Sequence, residues 1–322
     1  MSNLIAQTLS SITLGQPSTI EALTMLPLLG PQAVERAPFY LTLDQALGDG
    51  WTEITEISEQ GSVPELRVFN KGAKPVFILD GEELLGAKQN RVVNLSILVP
   101  AATKLTIPVS CVEAGRWRSR SRAFSSAPRT QYAAGRAKRM SQVTSSMRMS
   151  GERMSDQAEV WADIAATSER LAAHSPTGAM EEIFAVHADF ADRCVEALLP
   201  SERQCGALFL IDGHVVGFDL FDCAITLRRL LPKLVRSVAV DAVDRRGIGQ
   251  SDLVGGAGEH KSTKPELLIK GADHFLAAVF GAGVHEAQAL GMGRDLRLVA
   301  PKISGAALES QESLVHLSSF HL

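Results

Sequence analysis

The chain has 322 residues, of which 45% are hydrophobic and 21% are charged, a composition typical of a folded protein with a large apolar core. The formal net charge of −4 favours neither nucleic acid nor a membrane surface as a partner. The sequence has no apolar run as long as a membrane helix, no secretory signal and no closely spaced cysteines, so we expect a cytoplasmic protein with free thiols and no metal site.

Short strand patterns separated by glycine and proline fill residues 1–117. They predict an antiparallel β-rich half that resembles a sandwich or a barrel. Asp80-Gly81 lies between two apolar runs and predicts a hairpin turn. Further along the chain, Asp212-Gly213 predicts a turn of the same kind.

The alternating segments VVNLSILV and LTIPVSCVE predict a further hairpin with one apolar face. Pairing their apolar residues places Val93 opposite Cys111, and it places Arg91 opposite Glu113 at the end of that face. Such a pair either caps the edge of a core or borders a ligand pocket. Cys111 is predicted to be a structural thiol, and Pro108 indicates an edge strand or a bulge.

Residues 118–154 predict a basic mobile segment with helical portions. The stretch 116–153 contains ten basic residues and one acidic residue, whereas the remainder contains 22 basic and 35 acidic residues. Such a segment is either solvated or in contact with phosphate groups. Within residues 118–154, Phe124 and Tyr132 are the only aromatic residues, which weakens an interpretation based on base stacking.

Residues 155–322 predict a helical and β half. Apolar residues at helical spacing predict three helices, over 155–173, 180–198 and 223–243. A glycine-rich loop over 245–265 follows, and short strand patterns close the chain. The fold class is therefore α+β, with central helices and C-terminal strands, and this half either packs with residues 1–117 as one domain or stands apart.

Common catalytic motifs are absent from the sequence. We find no dinucleotide-binding G-x-G-x-x-G after a strand, no P-loop, no H-E-x-x-H and no nucleophile elbow. Motifs therefore assign no cofactor and no reaction, and whether the protein is an enzyme stays open at this point.

Two segments, GEELLGAKQNRVVN and SCVEAGRW, and a later helix with Gln157, Val160 and Trp161, resemble one bacterial family. This is the ADP-ribosylglycohydrolase- and rhodanese-phosphatase-superfamily-associated protein domain family. Its members lie near, or are fused to, proteins that process NAD and ADP-ribose. The resemblance covers most of the chain and implies binding or processing of an NAD- or ADP-ribose-derived ligand, by hydrolysis or transfer.

The polar residues of these motifs form the candidate site. Glu113 and Arg91 are predicted to be catalytic. The predicted ligand-binding residues are Glu82, Glu83, Lys88, Gln89, Asn90, Asn94, Arg116 and Trp117. The cations would neutralise a pyrophosphate, a glutamate would accept hydrogen bonds from ribose hydroxyls, and Trp117 would stack on adenine.

Two other interpretations belong to different functional classes. In the first, the protein is a non-catalytic interaction module, and the basic stretch Arg116–Arg153 binds an acidic partner or nucleic acid. In the second, the protein is a scaffold that oligomerises through an exposed strand edge.

Overall fold

The structure is a computed structural model that describes residues 3–58, 61–118, 120–250 and 264–322. Its helices are α1 (Asn3–Ser11), α2 (Leu43–Gly48), α3 (Ala133–Ser150), α4 (Gln157–Arg170), α5 (Glu181–Val186), α6 (Ala188–Ala197), α7 (Ala224–Gln250) and α8 (Pro265–Phe280), with a 3-10 turn at Gln32–Glu35.

The strands of the first half are β1 (Thr13–Leu14), β2 (Ser18–Ile20), β3 (Leu23–Leu29), β4 (Leu41–Thr42), β5 (Thr52–Glu56), β6 (Glu65–Asn70), β7 (Val76–Ile78), β8 (Glu82–Gly86), β9 (Arg91–Val93), β10 (Ile97–Val99) and β11 (Thr103–Cys111). The later strands are β12 (Phe124–Thr130), β13 (Gln204–Ile211), β14 (His214–Phe221), β15 (Gly283–Gln288), β16 (Arg294–Ala300), β17 (Ile303–Ser310) and β18 (Ser313–His321). This order confirms the predicted α+β class.

A six-stranded antiparallel sheet forms the centre of the N-terminal half, in the order β12-β8-β9-β11-β6-β5. Its two edges approach each other, because Thr55 near the end of β5 makes a β-bridge to Ala123 just before β12. The sheet therefore curls into a barrel-like shape around a core of aliphatic side chains such as Ile54, Val68 and Leu84, all fully buried. This agrees with the predicted antiparallel, barrel-like N-terminal half.

A nine-stranded sheet combines the C-terminal strands with β1, β2 and β3, and its main path runs β1-β3-β13-β14-β18-β17-β16-β15. A three-stranded sheet, β10-β7-β4, consists of strands that alternate along the chain with those of the barrel sheet. One hydrophobic core joins Phe77 and Leu98 of this small sheet to Phe209 and Phe221 of the large one. The two halves of the chain therefore share buried apolar surface.

The two Asp-Gly turns have different structures. Asp212-Gly213 joins the antiparallel strands β13 and β14, and both of its residues have positive φ, as predicted for a hairpin turn. Asp80-Gly81 does not make a hairpin, because β7 pairs with β10 and β4, whereas β8 pairs with β9 and β12. This turn instead transfers the chain from the small sheet to the barrel.

The predicted hairpin of the two alternating segments also differs from the structure. β10 pairs with β7, while β11 pairs with β6 along 103–108 and with β9 only along 109–111. Arg91 therefore faces Cys111 and not Glu113, a displacement of two residues that keeps the same side chains on the buried face. The displacement arises because the chain turns away between β9 and β10, so that only β9 stays beside β11.

Residues 118–154, predicted as a basic mobile segment, contain strand β12 and the 18-residue helix α3. The buried face of α3 includes Arg136 and Arg139, two of the basic residues that suggested solvation. The helices predicted over 155–173 and 223–243 correspond to α4 and α7, whereas the one over 180–198 is divided into α5 and α6 at His187. Most of the predicted glycine-rich loop, residues 251–263, lies outside the described residues.

The arginines of α3 connect the two halves through buried ion pairs. Arg136 contacts Asp219 of β14 at 2.8 Å and Asp80 of the N-terminal half at 3.3 Å. Arg139 contacts the other oxygen of Asp80 at 2.8 Å. Buried charges need partners of this kind, because an unpaired ion in a protein interior is strongly destabilising. Asp80 and Asp219 therefore fix the position of α3 between the barrel and the large sheet.

Candidate ligand-binding site

The turn 87–90 joins β8 to β9 and carries the polar residues of the first motif. Contacts to its backbone fix it in place. The Ala87 N–H donates to Ser121 Oγ at 2.9 Å, and the Ala87 carbonyl accepts from Arg116 Nη1 at 2.7 Å. Gln89 Nε2 donates to the backbone carbonyl of Glu113, just after β11, at 2.8 Å. The side chains at this turn are thus held in defined positions.

Glu113 is the buried anchor beneath the turn. One of its carboxylate oxygens lies 2.6 Å from Arg116 Nη2 and also accepts from the Asn90 N–H at 3.2 Å. The other oxygen accepts from Thr177 Oγ1 at 2.9 Å. Both members of the Glu113–Arg116 pair are buried, so solvent screens their attraction little.

The protonation state of Glu113 follows from these contacts. Burial alone raises the pKa of the carboxyl, but the hydrogen bonds from Arg116, Thr177 and the Asn90 backbone together outweigh it and lower the pKa below its ordinary value. Glu113 is therefore ionised at neutral pH, with both oxygens occupied. A carboxylate in this state is a weak proton acceptor and a strong structural anchor.

The same network continues outward to a half-exposed carboxylate. Arg116 Nη2 donates to Asn90 Oδ1 at 3.1 Å, which orients the amide so that Asn90 Nδ2 donates to Glu181 at 3.3 Å. Arg129 lies 3.9 Å from the other oxygen of Glu181 and binds the fully buried Glu83 at 2.6 Å. Glu181, at the start of α5, keeps 41% of its side chain exposed and is thus the solvent end of a buried polar chain.

A cleft of about 440 Å³ opens at this end, and we name it the turn cleft. It is lined by Leu85, Gly86, Asn90, Arg120, Ser121, Ala123, Phe124, Ser125 and Glu181. The cleft thus presents a carboxylate, an amide, a guanidinium and two hydroxyls within a space of the size typical of small-molecule sites.

A larger cavity of about 520 Å³ lies between α3 and α4. The exposed Lys138 and Asp163 form an ion pair beside it, and Tyr132 donates to Asp163 at 2.5 Å. None of the residues predicted for the site lines this cavity. The turn cleft is the better candidate, although it is smaller, because Asn90 lines it and Glu113 and Arg116 lie in the network behind it.

Arg91, the first residue of β9, is fully buried and does not line the turn cleft. Arg91 Nη1 donates to Gln89 Oε1 at 3.1 Å, and the same amide oxygen accepts from the thiol of Cys111 at 2.9 Å. Along the described residues, Arg91 Nε and Nη2 make no hydrogen bond. Burial lowers the pKa of Arg91, because removing the guanidinium from water disfavours its charged form.

Trp117 is 48% exposed, and two cationic side chains lie beside its indole ring. Lys88 Nζ lies 5.3 Å from the centre of the ring, and Arg91 Cζ lies 5.8 Å from it. These distances are those of cation–π contacts. Trp117 is therefore a surface residue with cationic neighbours, and its ring has an accessible part on which a planar group can stack.

The sequence agrees with a family model over nearly its whole length. The model for the ARG and Rhodanese-Phosphatase-superfamily-associated Protein domain, ARPP-1, matches residues 11–320. The chain belongs to the ARPP-1 family. No curated protein and no solved structure gives a significant match.

Two further observations describe this ARPP-1 chain. Each helix in the described parts is too short or too polar to cross a bilayer. The same residues contain no group of three or more histidine, cysteine or acidic side chains arranged to hold a metal ion.

The structure divides the predicted site residues of this ARPP-1 chain into three groups. Glu83, Asn90, Glu113 and Arg116 share the buried network behind the turn cleft. Four others, Lys88, Gln89, Arg91 and Trp117, are linked by contacts among themselves and do not line the turn cleft. Arg91 and Glu113, predicted as a catalytic pair, are in different groups, and Glu113 pairs with Arg116 instead.

Glu82 and Asn94 lie apart from both groups. Glu82 is buried and contacts Lys233 Nζ at 2.6 Å, beneath strand β12. Asn94 accepts from Ser110 Oγ at 2.6 Å and donates to the backbone carbonyl of Arg153 at 3.0 Å. Both side chains bind groups of other elements of the protein and do not line the turn cleft, so their contacts in this structure are structural.

Sequence reasoning missed Arg120, Arg129, Thr177 and Glu181, which complete the network. Glu181 lies 91 positions from Asn90, and Thr177 lies 64 positions from Glu113, so no local pattern links these residues. Arg120 and Arg129 were included only in the general charge of the basic stretch. A glutamate in the first turn of a helix was the one available signal for Glu181, since carboxylates are favoured there by the helix dipole.

Proposed function

We propose that this ARPP-1 chain binds a nucleotide of the ADP-ribose or NAD type at the turn cleft. The family description names an association with ARG, which we take to be ADP-ribosylglycohydrolase, and this supports a ligand from ADP-ribose metabolism. The observation that carries the proposal is the half-exposed carboxylate of Glu181, held in the cleft by Asn90 and Arg129.

The chemistry of the cleft suits a ribose diol. The Glu181 carboxylate can accept hydrogen bonds from two adjacent hydroxyls, while Asn90 Nδ2 lies 3.3 Å from it and can donate to one of them. Because Arg116 holds Asn90 Oδ1, the amide does not need to be oriented when the ligand binds. A preorganised donor and acceptor reduce the entropy that binding consumes.

Arginine at the rim suits the pyrophosphate. Arg120 lines the cleft and is exposed, and its backbone N–H donates to the Ala87 carbonyl at 3.0 Å, which ties it to the turn. Guanidinium groups bind phosphate oxygens through two parallel hydrogen bonds. Trp117, a half-exposed residue outside the cleft lining, offers its ring for the base.

The interaction-module interpretation has less support from the charges. Arg116, Arg129, Arg136 and Arg139 of the basic stretch are buried and make ion pairs with carboxylates of the same chain. Their charge is therefore neutralised internally and contributes little to attraction of an acidic macromolecule. Catalysis by Glu113 and Arg91 stays a prediction, and the occupied carboxylate of Glu113 favours a positioning role.

Calorimetric titration with ADP-ribose, NAD and AMP tests the proposal. We expect ADP-ribose to bind and Glu181→Gln to weaken its affinity by about tenfold or more, because a charged acceptor of ribose hydroxyls is lost. Glu182→Gln is the matched control, since it removes the neighbouring charge of the same helix from a position that does not line the cleft. The proposal is wrong if no nucleotide binds to the wild-type protein, or if both variants bind equally well.

A further inference from the structure

A chain of three side chains lies at the junction of the small sheet and the large sheet. Ser96, in the turn between β9 and β10, places its Oγ 2.8 Å from His316 Nδ1. On the other side of the ring, His316 Nε2 lies 3.0 Å from Asp219 Oδ1. His316 and Asp219 belong to the paired strands β18 and β14, so the large sheet itself holds the base and the acid.

The ionisation of Asp219 decides where the protons are. Burial raises the pKa of this carboxyl, but Arg136 and the hydrogen bond to His316 outweigh it and lower the pKa to about 2. An ionised carboxylate only accepts hydrogen bonds, so His316 Nε2 carries the proton that faces it. In the tautomer that carries its proton on Nε2, the lone pair of Nδ1 accepts the hydrogen bond from the Ser96 hydroxyl.

The environment holds this arrangement in one geometry. The ring of His316 stacks on Phe221 with centroids 4.9 Å apart and an interplanar angle of 24°, and it is 1% exposed. The backbone N–H of Asp80 donates to Ser96 Oγ at 3.0 Å, which fixes the oxygen from a second direction. Ser96 is itself only half-buried, so its hydroxyl is nearer to solvent than the histidine that it faces.

We propose that Ser96 is a nucleophile for acyl transfer from carboxylic esters, with His316 as its general base and Asp219 as the positioning residue. A serine hydroxyl hydrogen-bonded to an imidazole that is oriented by a buried carboxylate activates serine on many unrelated folds; here the ring is reversed, since Nδ1 faces the serine and Nε2 faces the carboxylate. This inference does not depend on the proposed nucleotide site, because no residue of the relay lines the turn cleft.

The reaction has two balanced steps. In the first, Ser96 Oγ attacks the ester carbonyl carbon, its proton moves to His316 Nδ1, and the bond from carbon to the leaving oxygen breaks as that oxygen takes the proton. In the second, water adds to the acyl-serine, gives a proton to His316 Nδ1, and releases the carboxylic acid as the proton returns to Ser96 Oγ. The sum is one ester and one water converted to one acid and one alcohol.

The surroundings of Asp219 predict a slow reaction. Arg136 donates to both oxygens of Asp219, at 2.8 and 3.0 Å, and so neutralises much of the negative charge that would stabilise a protonated His316. We therefore expect the relay to react with activated electrophiles and to turn over ordinary esters slowly.

A fluorophosphonate probe tests the nucleophile directly. Ser96 Oγ would bond to phosphorus, fluoride would leave, and intact mass followed by peptide mapping would locate the adduct. We expect a single adduct on Ser96 of the wild-type protein, none in Ser96→Ala, and unchanged labelling in Ser145→Ala, an exposed serine of α3 whose hydroxyl donates to the Ser141 carbonyl. In His316→Asn, which keeps an amide in place of the ring, we expect labelling at least about 100-fold slower.

A second measurement uses p-nitrophenyl acetate. We expect a burst of p-nitrophenolate from the wild-type protein that is absent in Ser96→Ala. Absence of an adduct on Ser96 in the folded wild-type protein overturns the inference, and so does equal labelling of the wild type and His316→Asn. If His316→Asn does not fold, the site of the wild-type adduct decides alone, because an unactivated serine does not react with the probe.

Discussion

Removing the charge of Glu113 should destabilise the fold. The change Glu113→Gln keeps the shape of the side chain but leaves Arg116 without its anion, in a place where 2% of the arginine side chain is exposed. Breaking a buried ion pair by altering one partner destabilises by about 3–5 kcal/mol. We therefore expect the free energy of unfolding to fall by that amount, measured by urea denaturation at pH 7 with circular dichroism.

The pH dependence checks the cause. Because the folded pKa of Glu113 lies below its unfolded value, its contribution to stability is present above the unfolded pKa and is lost as the pH falls through the folded pKa. The difference between wild type and Glu113→Gln should thus be full at pH 7 and shrink below about pH 4. A difference that is the same at both pH values would show that the charge is not responsible.

The partner offers an internal control. Arg116→Met removes the cation, so the double variant with Glu113→Gln leaves no unpaired charge at this place. It should be more stable than Glu113→Gln alone, because replacing both members of a buried pair is often neutral. Glu182→Gln, at a half-exposed position, should change the free energy of unfolding little. A loss under about 1 kcal/mol for Glu113→Gln, the size of an exposed pair, would refute the reasoning.

Other predictions concern three further positions. Asp241 accepts hydrogen bonds from the first two N–H groups of α3, and burial raises its pKa to about 7. The folded chain therefore binds a proton at Asp241 more tightly than the unfolded chain does. The free energy of unfolding should fall as the pH rises from about 4 to 7. Asp241→Asn should flatten that slope in urea denaturation curves, and an unchanged slope would exclude Asp241 as its source. Lys233→Met leaves the buried Glu82 without its cation and should lower the free energy of unfolding by about 3–5 kcal/mol. Adding Glu82→Gln should restore part of that free energy. If the double variant is no more stable than Lys233→Met, the ion pair is not the cause of the loss. Gly81→Ala should lower the melting temperature, because φ is +82° at this position and the added Cβ would lie 2.8 Å from Arg136 of α3. Gly48→Ala should leave the melting temperature unchanged, because the space around Gly48 is open. Equal effects of the two substitutions would contradict this reasoning.

The fold class followed from local patterns, but the pairing of strands did not. Alternation and turn residues correctly indicated a barrel-like half, and the hairpin at Asp212-Gly213 formed because both residues take positive φ. Asp80 has the same sequence signal, yet its carboxylate binds Arg136 and Arg139, and the chain passes from one sheet to another there. A local propensity was overridden by a partner more than fifty positions away, which no single sequence pattern indicates.

The basic stretch shows the same limit for charge. A run of arginines without matching acidic neighbours is usually solvated, so mobility was a reasonable expectation. The acidic partners of Arg129 and Arg136 are Glu83, Asp80 and Asp219, which lie far away in the sequence. The sequence predicted a candidate site at one turn because the motif there is continuous, whereas the contacts of Glu181 and Thr177 with that turn appear only in the folded chain.

The position of Arg136 between Asp80 and Asp219 has a consequence for how the chain can be divided. A fragment that ends at residue 117 would contain Asp80 without either of its arginine partners, and a fragment that starts at residue 155 would contain Asp219 without Arg136. Each fragment would bury an uncompensated charge if it adopted its present shape. We expect neither to be stable as a separate unit, and co-expression to require that residues 118–154 accompany one of them. Helix α3 thus makes the two halves mutually dependent for folding, in addition to the strands β1, β2 and β3 that the first half contributes to the large sheet.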